Sequence, residues 1–63
     1  MKLSQKLREL REEKGLTQQA LVDELRIGIQ SIRNYENDSL DRIPSTVQLK
    51  MLKDFYGVTY EYL

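Results

Sequence analysis

Residues 7–37 read LRELREEKGLTQQALVDELRIGIQSIRNYEN, and the spacing of apolar residues in this stretch decides the fold. Together with Leu3, its first leucines recur at i, i+4 and i+7 with charged residues between them, which predicts an amphipathic helix ending at Lys14-Gly15. Thr17 is a favourable N-cap for a second helix of about nine residues. The apolar pattern then restarts and predicts a third short helix over about residues 28–36.

The remainder of the chain predicts two more helical segments. After a proline, Ser45 opens a fourth helix, and Ser45 with Gln48 three residues later forms a capping-box signature. Apolar residues then recur at helical spacing until Gly57, and Thr59 can cap a last turn that runs to Leu63. The sequence therefore predicts an all-α fold of five short helices, with no strand and no internal repeat.

The composition limits the class of protein. The 63 residues make one small domain, and 40% hydrophobic with 32% charged residues suits a globular helical fold. Because the chain has no cysteine and no histidine, disulfides and thiolate or imidazole metal sites are excluded, and we expect no metal and no cofactor. No apolar run approaches the roughly 18 to 20 residues of a membrane span and no signal-peptide pattern is present, so we expect a cytoplasmic protein with no membrane partner.

The charges are balanced but unevenly distributed. Ten basic and ten acidic residues give a net charge of zero, so no general positive field attracts nucleic acid. Residues 1–14 carry a net charge of +2, and residues 35–43 carry −2. The sequence therefore predicts a dipolar surface and not a basic one.

A helix-turn-helix requires two short helices joined by about three or four residues, with polar side chains outward on the second helix. The segments LRELREEKGLTQQALVDEL and SIRNYEN, and a later proline followed after a helix by GVTYEYL, resemble the Cro/repressor-like (XRE) helix-turn-helix family. The likeness is ungapped over residues 7–37 and resumes over residues 44–63. It implies a compact five-helix, lambda-repressor-like domain over residues 1–63, similar to the N-terminal domains of lambdoid phage repressors, with the helix-turn-helix at about 17–36. A free-standing domain and the N-terminal part of a longer chain both remain open.

The resemblance implies sequence-specific binding of double-stranded operator DNA by a prokaryotic or phage transcriptional regulator, of repressor type and usually a homodimer. The third helix, about residues 28–36, enters the major groove in this family. The base-reading positions of the family fall on Ile29, Gln30, Ser31 and Asn34. Gln30 and Asn34 are one helical turn apart, so either amide can pair with an adenine, with a solvated polar face as the alternative. Ile29 either packs on a thymine methyl group or is a scattered surface residue.

Contacts to the DNA backbone are implied at five positions. The family places Thr17 and Gln18 against a phosphate, where the free N–H groups and dipole of a helix N-terminus favour an anion. Arg33 is preferred as a phosphate contact, although a guanine contact and an ordinary surface ion pair are alternatives. Ser39 and Arg42 complete the set in the loop after the third helix.

A structural ion pair and two departures from the family pattern concern the ends of the third helix. The family's salt bridge between the first helix and the end of the recognition helix falls on Arg11 and Glu36, with two independent surface charges as the alternative. Arg26 stands where the family usually has glycine, and a left-handed conformation there costs about 1 kcal/mol or more. The loop is two residues longer than usual and carries Asp38 and Asp41, so we expect weaker DNA binding with a shallow salt dependence.

The residues fit other functions less well than DNA binding. We expect no enzymatic activity, because the chain lacks histidine, cysteine, a phosphate-binding glycine loop and an evident carboxylate pair. The loop also lacks the spacing of a calcium site. The alternative is a helix-turn-helix used for protein contact, such as an antitoxin or an anti-repressor partner. Tyr56 and Tyr60 are expected mostly in the core, and Tyr62 and Leu63 are candidates for a dimer surface.

Overall fold

A computed structural model describes residues 2–40 and 43–63 of the chain. These residues form four helices: α1 (Leu3–Glu13), α2 (Gln18–Leu25), α3 (Ile29–Tyr35) and α4 (Thr46–Tyr56). The described residues contain no strand, so the all-helical prediction is confirmed. None of the helices in this part of the chain has the length and apolar character needed to cross a bilayer.

The ends of the first two helices follow from local sequence. α1 ends at Glu13 with Lys14 as its C-cap, and Gly15 takes a positive φ of 69°, which glycine adopts without steric cost. At the start of α2, the hydroxyl oxygen of Thr17 accepts a hydrogen bond from the backbone N–H of Ala20 at 3.0 Å. This bond satisfies one of the N–H groups that the first turn leaves free, as expected of an N-cap threonine.

Arg26 is the C-cap of α2 and takes the left-handed conformation, with φ 57° and ψ 33°. Its backbone N–H donates to the carbonyl of Val22 at 2.7 Å and closes the last turn. The next residue, Ile27, is only 3% exposed and anchors the turn in the core. The turn therefore keeps the left-handed geometry that glycine usually supplies, at a steric cost to arginine of about 1 kcal/mol or more.

A single apolar core joins the four helices. α1 and α2 both pack on α3, and partly buried side chains such as Met51 and Phe55 extend the core. The buried members come from every helix and from the turn: Leu7, Leu10, Leu21, Ile27, Ile32, Leu52 and Tyr56. α3 thus has one face fixed by the core, which leaves its opposite face for solvent or a ligand.

The capping box predicted at the start of α4 is only half formed. The Ser45 hydroxyl accepts from the backbone N–H of Gln48 at 3.3 Å, as an N-cap should. The Gln48 side chain, however, accepts a hydrogen bond from the Tyr35 hydroxyl of α3. The expected second bond of the capping box, from the Ser45 backbone N–H to the Gln48 side chain, is therefore wrong. The Tyr35 hydroxyl takes the Gln48 amide oxygen instead.

The fifth helix is not confirmed, because residues 60–62 form a turn, and the Thr59 hydroxyl accepts from the Tyr62 N–H at 3.2 Å. Tyr60 is 51% exposed, so placing it in the core was wrong, whereas Tyr56 is buried as expected. Lys6 of α1 donates to the Tyr62 carbonyl at 2.6 Å and lies 5.5 Å from the centre of the Tyr62 ring. The chain end is therefore held on α1 by a cation, and Leu63 packs against the core.

Candidate nucleic-acid interface

α3 presents one buried face and one accessible face. Ile32 is 1% exposed and points into the core between α1 and α2. Gln30 and Arg33 are exposed, whereas Ser31 and Asn34 are half-buried. Ile29 is also half-buried and is therefore more enclosed than a free surface isoleucine. The side chains that the family match assigned to base reading thus lie on the accessible side of a short helix.

Two amides on this side are joined to each other. The side-chain Nε2 of Gln30 donates to Oδ1 of Asn34, one turn later, at 3.0 Å. This bond uses one donor of Gln30 and one lone pair of Asn34, so the Gln30 carbonyl, its second N–H and the Asn34 amide group remain available. The pair is a preorganised set of donors and acceptors on an exposed helix face.

The two residues at the start of α2 are already engaged within the fold. Thr17 caps the helix, and Nε2 of Gln18 donates to the Glu36 carboxylate at 3.3 Å. Gln18 is half-buried, while Thr17 is exposed. The N-terminus of α2 is consequently fixed relative to the end of α3, which sets the geometry of the two helices.

Arg11 and Glu36 form an ion pair between α1 and the end of α3. Nε of Arg11 lies 2.9 Å from Oε2 and 3.1 Å from Oε1 of Glu36, and Nη1 donates to the carbonyl of Leu16 at 2.7 Å. The two side chains are only 13% and 5% exposed. The hydrogen bond to Glu36 raises the pKa of the Arg11 guanidinium. The structure thus holds the end of α3 against α1 with a buried ion pair.

The segment after α3 also turns toward α1. The Asp38 carboxylate accepts from the Ser4 hydroxyl at 2.7 Å and lies 3.3 Å from Nη2 of Arg8. From the sequence alone, Asp38 is expected to be a free negative charge in a loop beside DNA. Its partners lie 34 and 30 residues away, and no local pattern indicates them.

The remaining candidates for backbone contact differ in how well they are placed. Arg33 is exposed and has no hydrogen bond or ion pair to any side chain within residues 2–40 and 43–63. The side chain of Ser39 is exposed, and its backbone N–H donates to Asn37 at 2.9 Å. Arg42 and the acidic residue Asp41 lie outside the described residues. Across those same two ranges, no cluster of three or more acidic side chains is arranged to hold a metal ion.

The left-handed turn between α2 and α3, the buried Ile27 and the accessible polar face of α3 define a helix-turn-helix. A family model described as a helix-turn-helix domain matches residues 4–63, nearly the whole chain. The chain belongs to this XRE-like helix-turn-helix family.

Its sequence is 38% identical over all 63 residues to the HTH-type transcriptional regulator ImmR of Bacillus subtilis (strain 168). The match covers 48% of that regulator, so the chain spans about half the length of the relative it resembles.

Proposed function

We propose that residues 1–63 form a single domain that binds double-stranded DNA sequence-specifically and acts in a transcriptional repressor, with α3 in the major groove. The observation that carries this proposal is the hydrogen-bonded pair of exposed Gln30 and half-buried Asn34 on α3, opposite the buried Ile32. Membership of the helix-turn-helix family and the likeness to a transcriptional regulator support it. Neither a metal nor a cofactor is needed for this function.

The amide pair has the chemistry that adenine requires. In the major groove adenine offers a donor at N6 and an acceptor at N7, which a glutamine amide meets with its carbonyl and one N–H. Gln30 has both groups available while its other N–H donates to Asn34. Asn34 therefore holds Gln30 in a fixed orientation, and its own amide N–H groups reach toward the neighbouring base. Ser31 and Ile29 complete the face, with Ile29 packing on a thymine methyl.

Backbone contact fixes the register of α3. The free N–H groups at the start of α2 bind a phosphate beside Thr17 and Gln18, in a way that needs no lysine. Arg33 and Ser39 contact further phosphates, and Arg42 belongs to the same group by sequence. With so few cations, two or three neutralised phosphates give a slope of log affinity against log salt of only about −2 to −3.

The decisive experiment is selection of bound DNA from a random duplex pool, followed by fluorescence anisotropy on the enriched site. We expect a two-fold symmetric site with half-sites about 34 Å apart, which a homodimer reads. Combined Gln30→Ala and Asn34→Ala should abolish the discrete complex, because each good base contact is worth about 1–3 kcal/mol. Gln5→Ala on α1 is the matched control and should bind as the unaltered protein does.

A protein-contact function is the second candidate. Ile43 is 75% exposed and Val47 is 69% exposed, and together with the zero net charge they favour a protein partner over a polyanion. No enriched sequence and no complex at micromolar protein would favour this candidate and overturn the first.

A further inference from the structure

The start of α1 is connected to Asp38, in the segment that follows α3, by the side chains of Lys2, Ser4 and Arg8. The Ser4 hydroxyl is buried, since Ser4 is 7% exposed, and it donates to Oδ1 of Asp38 at 2.7 Å. The other carboxylate oxygen, Oδ2, faces Nη2 of Arg8 at 3.3 Å. In addition, Lys2 donates to the backbone carbonyl of Asp38 at 3.0 Å. Ser4, Arg8 and Asp38 are here named the α1 clamp.

The α1 clamp reaches the recognition helix through Arg8. While Nη2 of Arg8 faces Asp38, Nη1 donates to the backbone carbonyl of Glu36 at 3.0 Å. Glu36 is the C-cap of α3, and its carbonyl is one of the groups that a helix end leaves without an internal partner. A single guanidinium therefore bonds both the end of α3 and the carboxylate two residues later.

We infer that Asp38 is a positioning residue for DNA recognition: through Ser4 and Arg8 it holds the end of α3 at the angle at which the helix meets DNA. The inference rests on the proposed function and extends it to residues that touch no base. Hydrogen bonds to Ser4 and then Arg8 lower the pKa of Asp38, so its carboxylate is ionised and paired at neutral pH.

A free Asp38 carboxylate and a positioning Asp38 carboxylate predict opposite changes in DNA affinity when the residue is replaced. A free carboxylate beside phosphates weakens binding, so its neutralisation should strengthen binding, most of all at low salt. A carboxylate that holds the loop and α3 in place has the opposite effect, because its removal lets the reading face shift. The sign of the change in affinity on altering Asp38 therefore separates the two explanations.

The test compares Asp38→Ala, Asp38→Asn and Ser4→Ala on the selected duplex and on a scrambled duplex of equal length. We expect Asp38→Ala to raise the Kd for the selected duplex about threefold to tenfold, in line with the loss of one or two part-exposed polar contacts. Asp38→Asn should lie between Asp38→Ala and the unaltered protein, because its amide oxygen still accepts from Ser4. The Kd for scrambled DNA should change less, since non-specific binding depends on charge and not on the angle of α3.

Two further measurements make the result decisive. The effects of Ser4→Ala and Asp38→Ala should be less than additive in the double variant, as expected for two residues in one contact. Glu13→Gln, which removes one exposed negative charge near the other end of α1, is the charge control and should leave the ratio of selected to scrambled affinity unchanged. Tighter binding by Asp38→Ala and Asp38→Asn alike, or additive effects with Ser4→Ala, would overturn the inference.

Amide hydrogen exchange on the same samples separates this inference from the proposed function. Faster exchange over residues 36–40 in Asp38→Ala and Ser4→Ala, relative to Glu13→Gln, supports the α1 clamp even if the unaltered protein binds no DNA. Unchanged exchange in this segment overturns the clamp even if the unaltered protein binds tightly. Absence of binding by the unaltered protein, by contrast, removes the proposed function.

Discussion

Replacing Glu36 by leucine should cost this small domain a large part of its stability. The change leaves the Arg11 guanidinium, only 13% exposed, with the Leu16 carbonyl as its remaining hydrogen-bond partner. Breaking a buried ion pair by removing one member typically costs about 3–5 kcal/mol. A chain of this length has a total unfolding free energy of about 3–9 kcal/mol. Glu36→Leu is therefore expected to lose about a third or more of its unfolding free energy and to unfold at a clearly lower urea concentration than the unaltered protein.

Removing both charges should restore the fold. Replacing a buried pair by apolar residues of similar volume is often neutral or stabilising. We expect Arg11→Met with Glu36→Leu to lie within about 1 kcal/mol of the unaltered protein, which implies a coupling energy of about 2 kcal/mol or more between the two sites. Urea unfolding followed by far-ultraviolet circular dichroism at 10 °C measures all four members of the cycle.

A second ion pair provides the control. Lys53 and Asp54 also lie 2.9 Å apart, but their side chains are 23% and 56% exposed. Their coupling should be at most about 1 kcal/mol, because exposed pairs gain little over hydration. A Glu36→Leu cost below about 1 kcal/mol, or a double variant as unstable as the single one, would refute the reasoning about burial.

The same double variant tests what the pair contributes to function. If it restores stability but binds the selected DNA at least tenfold more weakly, the pair serves mainly to position α3. Full recovery of affinity would show that the apolar replacement positions the helix equally well.

Three further predictions concern backbone strain and titration. Arg26→Gly should raise the unfolding free energy by about 0.5–1 kcal/mol, because glycine adopts the φ of 57° found at Arg26 without a Cβ clash. Arg26→Ala is the control and should give no such gain, because alanine keeps the Cβ. Burial, and after it the charge of Glu36, raises the pKa of Tyr56 from 10.0 to about 12. The contribution of Tyr56 to stability should therefore fall by about 2 kcal/mol as pH rises from 10 to 12, and Tyr56→Phe should show a correspondingly smaller fall in urea unfolding. Because the pKa of Asp38 is lowered in the fold, its carboxylate contributes to stability above the ordinary pKa of 3.8, and this contribution is lost as pH falls through the folded-state pKa. The difference in unfolding free energy between the unaltered protein and Asp38→Asn should therefore shrink in acid. A difference that grows in acid would contradict this assignment.

Most of the helix boundaries could be predicted from local sequence. Thr17, Gly15 and Gly57 act at helix ends through bonds or dihedral angles within a few residues, so their effects are visible in the order of residues alone. The left-handed Arg26 could also be anticipated, because the ungapped family match fixes its position in the turn. Local spacing thus defines the helix-turn-helix, and the resemblance supplies its register.

The interactions that sequence reasoning missed all join residues distant in the chain. Gln48 has two possible partners, and only packing of α4 against α3 makes the Tyr35 hydroxyl the one that it accepts from. The family's loop spacing places Asp38 among free charges beside DNA, whereas its hydrogen-bond partners in the structure belong to α1. Tyr60 is aromatic and is therefore expected in the core, but its side chain lies on the surface, beside the ammonium of Lys53.

The brevity of α3 makes it dependent on the rest of the domain. Its seven residues make two turns, far fewer than the roughly 12 to 15 that a helix needs to persist alone in water. Its start at Gly28 has no side-chain cap, and its end is held by groups from α1, α2 and α4. A peptide of this segment would therefore be unstructured. Variants of its outward side chains should therefore be made within the whole domain, with Ile32, Tyr35 and Glu36 kept in place.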